Sequence, residues 1–408
     1  MTYAEAVEVL FGQLPMFQRE GAAAYKVGLE GTQRVLAMCG NPEVGLAAIH
    51  VAGTNGKGSV CHQVAAVLQE AGYKTGLFTS PHLLDFRERI RINGVPVAEE
   101  QVVAFVDQYR EVWGKPSFFE LTWAFALHVF RAEVVDIAVV ETGMGGRLDS
   151  TNILPRPLIT AVTNVGLDHQ AFLGPDVWSI AREKAGIFKE GVPVVLGKMR
   201  PEAQSIMLEQ SLRTGSEVHY AAPEAMWEGE APYAAENRAT ARKVLEVLDD
   251  LPGWKVPAEA VERGLRDYKV LTGQRGRWTF LPPTASGARV LVDCAHNIDG
   301  LSRTVGAVRD LVAKTGGQLH VVFGTVSDKS VEEVLPWLPR EARYCWCAAS
   351  IPRAMGAEEL ERRARACGFE GRPFGSVSAA LDCARAEAGP HDLIWVTGSI
   401  FVVAEVLD

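Results

Sequence analysis

The chain has 408 residues, of which 48% are hydrophobic and 22% are charged, and this composition is typical of globular proteins. Its 41 basic and 50 acidic residues give a net charge of −9, so nucleic acid is not an expected partner. No stretch approaches the roughly 18 uninterrupted apolar residues of a membrane span, and the N-terminus lacks the basic and apolar segments of a signal peptide. We therefore expect a cytoplasmic protein that contacts no membrane.

The seven cysteines are scattered along the chain, and none of them forms a Cys-x-x-Cys pair. This pattern argues against both a disulfide framework and a zinc ribbon. Because free cysteine is among the most buried residue types, we expect these side chains to be small apolar core residues in the reducing environment of the cytosol.

Short apolar runs alternate with amphipathic stretches, the pattern of a mostly parallel sheet covered by helices. The first strand is predicted over residues 46–51, and a glycine-rich turn leads from it into a helix whose apolar residues repeat from Val60 to Ala71. A strand over residues 75–79 completes a βαβ unit. The run at residues 134–140, which is apolar except for Asp136, predicts a central strand that is buried on both faces.

A break in this alternation lies at residues 281–288, where two prolines stand among small and polar residues. Such a segment is a poor helix or strand, so we predict a linker, which acts either as a hinge or as a passive tether. The length of the chain favours roughly two or three domains. We expect a large N-terminal α/β domain over residues 1–282 and a smaller C-terminal domain over residues 288–408.

The alternation resumes after this break. Strands are predicted over residues 289–293, 319–323 and 393–397, and a helix over residues 301–312. A parallel sheet with helices on its faces would follow from this order, so the C-terminal domain is predicted to be a Rossmann-like α/β domain. Ligands of such folds bind at the carboxyl ends of the strands.

A phosphate-binding loop is predicted between the first strand and the first long helix. Backbone N–H groups of a glycine-rich turn can surround phosphate oxygens, and the helix N-terminus adds partial positive charge. The lysine can reach the terminal phosphates and the serine hydroxyl can bind Mg²⁺. The spacing differs from the usual G-x-x-x-x-G-K-[ST], yet we expect a nucleoside triphosphate here and thus a P-loop ATPase domain. The loop consists of Gly53, Thr54, Asn55, Gly56, Lys57, Gly58 and Ser59.

Polar residues stand at the carboxyl ends of other predicted strands. Glu141 directly follows the apolar run at residues 134–140, where a Mg²⁺ ligand or a water-orienting group is needed beside a phosphate loop. Further polar segments are Ser80-Pro81-His82, Asp168-His169 and Arg182-Glu183-Lys184. Oxygen ligands and a histidine suit Mg²⁺ or Mn²⁺ rather than zinc.

Together these motifs resemble those of folylpolyglutamate synthases and dihydrofolate synthases, within the larger Mur ligase family. They occur in the family's order over about residues 25–400. The matching segments are His50-Val-Ala-Gly-Thr-Asn-Gly-Lys-Gly-Ser59, Thr79-Ser-Pro-His82, Glu141, Gly145-Gly-Arg147, Leu167-Asp-His169, Glu183-Lys-Ala-Gly-Ile187, Gly276-Arg-Trp278, Asp293-Cys-Ala-His-Asn297 and Gly398-Ser399.

The resemblance implies roles for individual residues. ATP would be bound by residues 53–59 together with Asn237, Arg277 and Asp293. Lys184 would carry a carbamate, formed with CO₂, that supplies an oxygen ligand for a second Mg²⁺. The implied metal ligands are Ser59, Ser80, Glu141, His169 and Lys184. The implied catalytic residues are Lys57, Lys184 and His296, the last of them facing the incoming glutamate. The implied substrate-binding residues are Ser117, Phe118, Phe119, Glu120, His82 and Arg87.

Three positions depart from the family pattern. Ile298 replaces a common proline, and Trp278 replaces the usual phenylalanine after Gly-Arg. Neither change affects the expected chemistry. Lys26 and Val27 stand where an acidic pair is common near the folate site, so the form of the substrate is less certain from the sequence.

The resemblance implies an ADP-forming acid–amino-acid ligase of folate biosynthesis and one-carbon metabolism. It would join L-glutamate to dihydropteroate, to folate polyglutamates or to both, through an acyl phosphate, and release ADP and phosphate. We expect ATP and two Mg²⁺ ions as cofactors and a monomer as the active form. The sequence leaves open the length of the polyglutamate and a requirement for a monovalent cation such as K⁺.

Three alternative functions were weighed. A P-loop kinase or simple NTPase leaves Lys184 and the Asp293–Asn297 segment without a role. A Mur-family ligase of a cell-wall precursor would carry an additional N-terminal domain, and the 52 residues before Gly53 are too few for one. A dinucleotide-binding module is disfavoured because G-x-G-x-x-G is absent after the first strand.

Overall fold

The computed structural model describes residues 1–16 and 28–407, so the departure at Lys26 and Val27 lies outside the described residues. The chain forms two compact units. The first contains residues 28–225 and 234–274 together with the N-terminal helix, and the second contains residues 226–233 and everything described from Arg275 onward. In the part of the chain that the structure covers, no helix combines the length and the apolar character needed to cross a bilayer.

The first unit is built on a sheet of eight described strands in the order β4-β3-β2-β5-β1-β6-β7-β8. All neighbours pair in parallel except β3, which is antiparallel to both β2 and β4. The strands are β1 (Ala48–Ala52), β2 (Thr75–Phe78), β3 (Ile90–Ile92), β4 (Val95–Pro96), β5 (Ile137–Glu141), β6 (Ile159–Val162), β7 (Val194–Leu196) and β8 (Val218–Tyr220).

Helices cover both faces of this sheet. The helix Lys57–Glu70 packs closely on the helix Ala258–Thr272, because a Cβ added to Gly264 would lie only 2.6 Å from the Cα atom of Val67. The described α-helices of the unit are Tyr3–Gln13, Glu30–Met38, Lys57–Glu70, Glu99–Tyr109, Phe118–Ala132, Gln170–Leu173, Val177–Ala185, Pro201–Thr214, Ala234–Asp250 and Ala258–Thr272. Short 3₁₀-helices span Phe86–Arg89 and Ser150–Ile153.

Strand β5 is buried on both faces, as its apolar sequence predicts. Ala138 and Val140 belong to an apolar cluster on one face of the sheet. Ile137 and Val139 belong to another cluster on the opposite face. Because successive residues of a strand point to opposite faces, this alternation places β5 in the middle layer of the unit.

The predicted strand at residues 134–140 begins too early. Val134 has a φ of 50° and follows the end of the helix Phe118–Ala132. Its N–H donates to the carbonyl of Arg131, and the N–H of Val135 donates to the carbonyl of Phe130, both in the manner of a left-handed helix cap. The cap therefore takes the first apolar residues, and the strand starts at Ile137.

The second unit contains a sheet of six described strands in the order β13-β12-β11-β14-β10-β9. Its neighbours are parallel except β9, which is antiparallel to β10. The strands are β9 (Thr279–Leu281), β10 (Arg289–Val292), β11 (Leu319–Phe323), β12 (Arg343–Cys347), β13 (Gly371–Phe374) and β14 (Leu393–Thr397). The helices are Ile298–Thr315, Val331–Val334, Ala357–Ala366, Val377–Glu387 and Ile400–Leu407, with a 3₁₀-helix at Leu335–Trp337.

The predicted linker at residues 281–288 is wrong, because this segment is the connection of a hairpin inside the second unit. Leu281 pairs with Val290 across the antiparallel β9–β10 ladder. Within the connection, the N–H of Thr284 donates to the carbonyl of Ala288 at 2.9 Å. The two prolines stand just past the end of β9, where no ladder hydrogen bond is required of them. The second unit resumes at Arg275 instead of residue 288.

A candidate nucleotide and metal site

Strand β1 lies between β5 and β6, and all three strands run in the same direction. Their carboxyl ends therefore meet at one edge of the sheet, where open α/β sheets bind ligands. The loop at residues 53–56 follows β1, Glu141 ends β5, and Thr163 follows β6. The sequence prediction of a phosphate loop beside a carboxylate is consistent with this arrangement.

The loop is fixed by residues after β6 that the sequence analysis did not identify. The N–H of Asn55 donates to the side-chain oxygen of Asn164 at 2.9 Å, and the Asn164 side-chain amide donates back to the Asn55 carbonyl at 3.0 Å. The hydroxyl of Thr163 also donates to the Asn55 carbonyl, at 2.6 Å. Thr54 contacts the same segment through its hydroxyl, which accepts from the N–H of Gly166 at 2.9 Å.

Two glycines of the loop allow close approach of neighbouring side chains. A Cβ added to Gly53 would lie 1.9 Å from the hydroxyl oxygen of Thr163. Gly56 has a φ of 85°, and its added Cβ would lie 2.2 Å from the Asn237 side-chain oxygen. Asn237, which the family resemblance assigned to ATP binding, therefore lies directly against the loop.

Two lysine amines converge on the carbonyl oxygen of Gly53. Lys57 Nζ donates to it at 3.0 Å and to the Thr54 carbonyl at 3.3 Å. Lys184 Nζ donates to the same Gly53 oxygen at 2.8 Å, although the two residues are 131 positions apart. The structure thus brings together two of the predicted catalytic residues.

The Lys184 side chain is almost completely buried, with a relative exposure of 3%. Burial lowers the pKa of its amine to about 7, and the nearby charge of Lys57 contributes to the lowering. The carboxylates of Asp168 and Asp149 oppose the shift. Near neutral pH a substantial part of this amine is therefore unprotonated, as reaction with an electrophile such as CO₂ requires.

Glu141 lies beside the start of the helix Lys57–Glu70, which follows the predicted phosphate-binding loop. Its Oε2 atom accepts the N–H of Ser80 at 3.0 Å and would lie 3.3 Å from a Cβ added to Gly58. Both Glu141 and Ser59 are buried. Carboxylate and serine oxygens are hard donors, so a buried Glu141 next to the Ser80 backbone and beside the start of the helix that carries Ser59 fits a Mg²⁺ ion.

His169 follows β6 and has a φ of 52°, which is uncommon for a residue other than glycine. The carboxylate of Asp168 accepts its backbone N–H at 2.9 Å and holds the turn. Among the described residues, no three His, Cys, Asp or Glu side chains lie close enough together to form a metal site on their own.

The segments Gly145-Gly-Arg147 and Glu183-Lys184 lock together. The guanidinium of Arg147 pairs with the Glu183 carboxylate at 2.8 Å, and the Arg147 N–H donates to the Glu183 carbonyl at 2.7 Å. A Cβ added to Gly146 would lie 2.9 Å from the Lys184 carbonyl oxygen. The two motifs, weak when taken separately, therefore form one surface that supports Lys184.

A buried polar chain behind these motifs was missed by the sequence analysis. Asp149 accepts the N–H of Met144 at 2.8 Å and both the N–H and the hydroxyl of Thr151. His50 Nε2 contacts the Thr151 hydroxyl at 2.8 Å. Because the Thr151 hydroxyl donates its proton to Asp149, it accepts a hydrogen bond from the Nε2–H group of His50. Burial lowers the His50 pKa to about 3.

The predicted substrate residues at 117–120 begin the helix Phe118–Ala132. Ser117 is its N-cap: the Ser117 hydroxyl accepts the Glu120 N–H, while the Glu120 carboxylate accepts the Ser117 N–H at 2.6 Å. The polar groups of both residues therefore serve the helix cap. Phe119 lies beside the segment that follows β5, since a Cβ added to Gly143 would lie 2.5 Å from its ring.

His82 and Arg87, also predicted to bind substrate, are held by protein partners. His82 Nδ1 accepts a hydrogen bond from buried Arg89 at 2.7 Å, and burial lowers the His82 pKa to about 3. The Arg87 guanidinium pairs with Asp85 at 2.9 Å and with Glu99 at 3.4 Å. His82 is therefore a neutral acceptor, and the charge of Arg87 is compensated.

In the second unit, Asp293 and His296 follow β10, and Arg277, which the family resemblance assigned to ATP binding, precedes β9. Asp293 is buried, and its carboxylate accepts the N–H groups of Trp278 at 2.8 Å and Ala295 at 3.0 Å. His296 Nδ1 lies 2.8 Å from the Cys294 carbonyl. Asp293 thus accepts backbone N–H groups both from the turn before β9 and from its own segment after β10.

Comparison with known proteins gives consistent matches over the whole length. Residues 276–400 match the family model described as Mur ligase, glutamate ligase domain. The chain is 31% identical to the dihydrofolate synthase/folylpolyglutamate synthase of Escherichia coli (strain K12), over 99% of this chain and 96% of that protein. It is 30% identical to the protein of the same name in Bacillus subtilis (strain 168), over 93% of this chain and 94% of that protein.

A further relative is longer. The chain is 34% identical, over 99% of its length, to a probable bifunctional folylpolyglutamate synthase/dihydropteroate synthase of Haloferax volcanii. It spans 50% of that protein.

Solved structures of related proteins are similar to this chain over its whole length. The E. coli FolC structure in complex with DHPP and ADP superposes with a TM-score of 0.86 at 29% identity, covering 100% of this chain and 97% of that chain. A bifunctional folylpolyglutamate synthase/dihydrofolate synthase with Mn, AMPPNP and L-glutamate bound gives a TM-score of 0.83 at 28% identity, with coverage of 100% and 97%. This chain belongs to the folylpolyglutamate synthase/dihydrofolate synthase family, whose fold is that of the Mur ligases.

Proposed function

We propose that this protein is an ATP-dependent, ADP-forming ligase that joins L-glutamate to dihydropteroate and to folate polyglutamates. The observation that carries the proposal is the convergence of Lys57, Lys184 and Glu141 on the glycine loop after β1. A kinase or simple NTPase would need the loop and the carboxylate but not the second, buried lysine. The family relationship favours the folate ligase over a ligase of cell-wall precursors.

The substrates follow from the relatives. One similar structure holds ADP and DHPP, and another holds AMPPNP, Mn and L-glutamate. For this chain we propose ATP, L-glutamate and a pterin carboxylate as substrates, and two Mg²⁺ ions near Ser59, Ser80, Glu141 and His169. We further propose a cytoplasmic monomer. A requirement for K⁺ is left to measurement.

The reaction proposed has two steps. An oxygen of the substrate carboxylate attacks the γ-phosphorus of ATP, the bond to the β-phosphate oxygen breaks, and ADP leaves an acyl phosphate behind. The amine of glutamate then attacks the acyl carbon, phosphate leaves, and a proton is lost from nitrogen. Bound Mg²⁺ would supply positive charge that neutralises the transferring phosphoryl group.

The residues of this chain would act mainly through electrostatics and positioning. We propose that Lys57 and the N–H groups of residues 56–58 contact the phosphates, since preorganised donors of this kind stabilise transition states strongly. His296 is the proposed contact for the incoming glutamate. We also propose that the phenylalanines at 118 and 119 lie against the pterin.

Lys184 is proposed to react with CO₂. Its neutral amine forms an N–C bond to the carbon, one proton leaves the nitrogen, and the product is a carbamate with two oxygens. The support for this is that burial and the charge of Lys57 lower the pKa of this amine to about 7. The lysine would then become an anionic oxygen ligand in a place that is unfavourable for a cation.

Product analysis tests the function. The purified protein is incubated with ATP, Mg²⁺ and L-glutamate, and with dihydropteroate or tetrahydrofolate in separate reactions. We expect a mass increase of one glutamyl residue on each acceptor and one ADP per amide bond. ADP release without a glutamylated product would support an NTPase instead, and product from only one acceptor would restrict the proposal to that activity.

A further inference from the structure

The cysteines of this chain differ in exposure, and all seven are free thiols. The prediction that they are core residues is confirmed for the four buried ones, which are Cys61, Cys294, Cys345 and Cys347. The remaining three are only partly buried: Cys39, Cys367 and Cys383. A partly exposed thiol can meet reagents from the solvent, so its neighbours decide whether it is reactive.

Cys383 has a second thiol beside it, that of Cys345. Cys345 lies in β12 and Cys383 lies in the helix Val377–Glu387, which packs on that strand. Burial raises the pKa of the Cys345 thiol to about 12, and the charge of Cys383 and a hydrogen bond with its sulfur add to the rise. The hydrogen bond brings the two sulfur atoms into contact, one of them buried and one partly exposed.

Arg372 lies against the same pair. It is the partner of Cys345 in the parallel β12–β13 ladder, so both side chains project from the same face of the sheet. Arg372 Nη2 donates to the Cys383 sulfur at 2.9 Å. Strand β13 is at the end of the described strand order, and the Arg372 side chain is 57% exposed. Small solutes therefore have access to the Cys383 sulfur at this edge of the sheet.

Glu387 completes the surroundings of Cys383. The Cys383 thiol lies 3.7 Å from the Glu387 carboxylate, and Arg372 forms an ion pair with that carboxylate. Glu387 and the charge of a Cys383 thiolate both raise the pKa of Arg372, so the guanidinium stays a cation beside the sulfur. Reactive cysteines lie in partly exposed surroundings of this kind with a basic group at the sulfur, whereas purely structural cysteines are buried.

We infer that Cys383 and Cys345 form a redox-active thiol pair, in which Cys383 reacts first with a small hydroperoxide and Cys345 then closes an intramolecular disulfide. With hydrogen peroxide, the Cys383 sulfur attacks one oxygen, the O–O bond breaks, and the released hydroxide takes the thiol proton and leaves as water. The oxidised product is a sulfenic acid.

The second step uses the buried thiol. The Cys345 sulfur attacks the sulfenic sulfur, the S–O bond breaks, and the hydroxyl group leaves as water with the Cys345 proton. The two thiols are thereby oxidised and one peroxide molecule is reduced to two waters. A dithiol such as dithiothreitol reverses the change by thiol–disulfide exchange. Neither step involves a substrate of the ligase, so the inference is independent of the proposed function.

The first test is chemical. The reduced full-length protein is treated with hydrogen peroxide, its free thiols are blocked with iodoacetamide, and it is digested without reductant for mass spectrometry. We expect a disulfide between the peptides of Cys345 and Cys383, with a mass lower by two hydrogen atoms, and recovery of both thiols with dithiothreitol. Oxidation of Cys383 only to sulfinic or sulfonic acid, or no reaction at all, would overturn the inference.

Serine variants identify the two sulfurs. They are needed because trypsin leaves Cys347 in the peptide of Cys345, and Cys367 in the peptide of Cys383. Cys345→Ser and Cys383→Ser should lose the disulfide, whereas the matched controls Cys347→Ser and Cys367→Ser should form it as the wild type does. A thermal melt checks that each variant is folded. Loss of the disulfide in a folded control, or its persistence in Cys345→Ser or Cys383→Ser, would reject the pair.

Trapping with dimedone tests the order of the steps. In Cys345→Ser the sulfenic acid at Cys383 should persist and give a dimedone adduct, whereas Cys383→Ser should give little adduct at Cys345. Arg372→Gln should slow disulfide formation by about threefold or more, since a hydrogen bond from a charged group to the sulfur is lost. Arg372→Lys keeps the charge and should slow it less. An adduct at Cys345 alone, or an unchanged rate in Arg372→Gln, would contradict the inference.

Discussion

Two buried aspartates, one in each unit, hold a glycine-containing turn in the same chemical way. Asp149 accepts the N–H groups of Met144 and Thr151 and the hydroxyl of Thr151. Asp293 accepts the N–H groups of Trp278 and Ala295 and the hydroxyl of Tyr233. Each carboxylate thus receives backbone N–H donors and one hydroxyl.

The two differ in where the hydroxyl comes from. Thr151 is two residues from Asp149 and belongs to the same local turn, with His50 behind it. Tyr233 is 60 residues from Asp293. The first arrangement forms once the local turn folds, whereas the second depends on a distant segment. We therefore expect the second arrangement, unlike the first, to be sensitive to changes in a segment that is distant in the chain.

Lys57→Ala should give the largest effect and set the scale for the comparison. Removing one preorganised charge at the phosphate loop should lower kcat by ~10²–10³ while the protein remains folded. Steady-state kinetics and a thermal melt measure both quantities. Lys255→Ala, at a side chain that is 83% exposed, is the control and should keep the wild-type rate. An unfolded Lys57→Ala protein would indicate a structural lysine instead.

Lys184→Ala tests the buried lysine of the first unit, whose amine is close enough to Asp149 for that charge to affect its pKa. If a carbamate forms, the variant should lose about 10²-fold in turnover, and millimolar acetate should restore part of it by replacing the missing carboxylate. Lys189→Ala is the control. Lys189 is half-buried nearby and donates to the Asn152 carbonyl at 2.9 Å, so its loss should not respond to acetate. Full activity of Lys184→Ala would reject the carbamate.

His50→Gln tests the pH dependence of the first arrangement. The pKa of His50 in the folded protein is lowered to about 3, whereas the ordinary pKa of histidine is about 6.5. Between these two pH values the unfolded chain therefore binds one proton more at this residue than the folded chain does. The free energy of unfolding should therefore fall as the pH decreases from about 6.5, by about 2 kcal/mol at pH 5 from this residue.

Urea denaturation at pH 7 and pH 5 measures this dependence. The loss between the two values should be smaller in His50→Gln than in the wild type. Because His82 is untouched and its pKa is also lowered to about 3, some dependence should remain in the variant. Identical pH dependence in both proteins would show that His50 is not buried as a neutral group.

Val134→Gly gives the smallest expected effect and tests the strain of a left-handed backbone conformation at an exposed position. Val134 has a φ of 50°, close to the 47° of Trp278, but it is 78% exposed at the end of a helix. Glycine should raise the free energy of unfolding by about 1 kcal/mol and leave kinetics unchanged. Val134→Ala, which keeps Cβ, should gain much less. Equal gains would mean that φ is not the source of the strain.

Much of the fold followed from local patterns. The strands β1, β2, β10, β11 and β14 and the helix Lys57–Glu70 lie within a few residues of the predicted positions, because buried parallel strands and amphipathic helices have distinct periodicities. The start of β5 was misjudged because a helix cap and a strand both accept apolar residues. The linker was misjudged because prolines mark hairpin connections as well as domain boundaries.

What the sequence alone determined is the chemistry that is written in contiguous residues: the glycine loop with Lys57, the carboxylate at the end of an apolar strand, and the Glu183-Lys184 segment. What only the tertiary structure decided is the set of partners that are distant in the chain. Asn164 holds the phosphate loop because β6 lies next to β1, and Lys184 reaches the Gly53 carbonyl from 131 residues away. Tyr233 supports Asp293 from a separate segment. Strand order and packing choose such partners, and no periodicity within one segment records them.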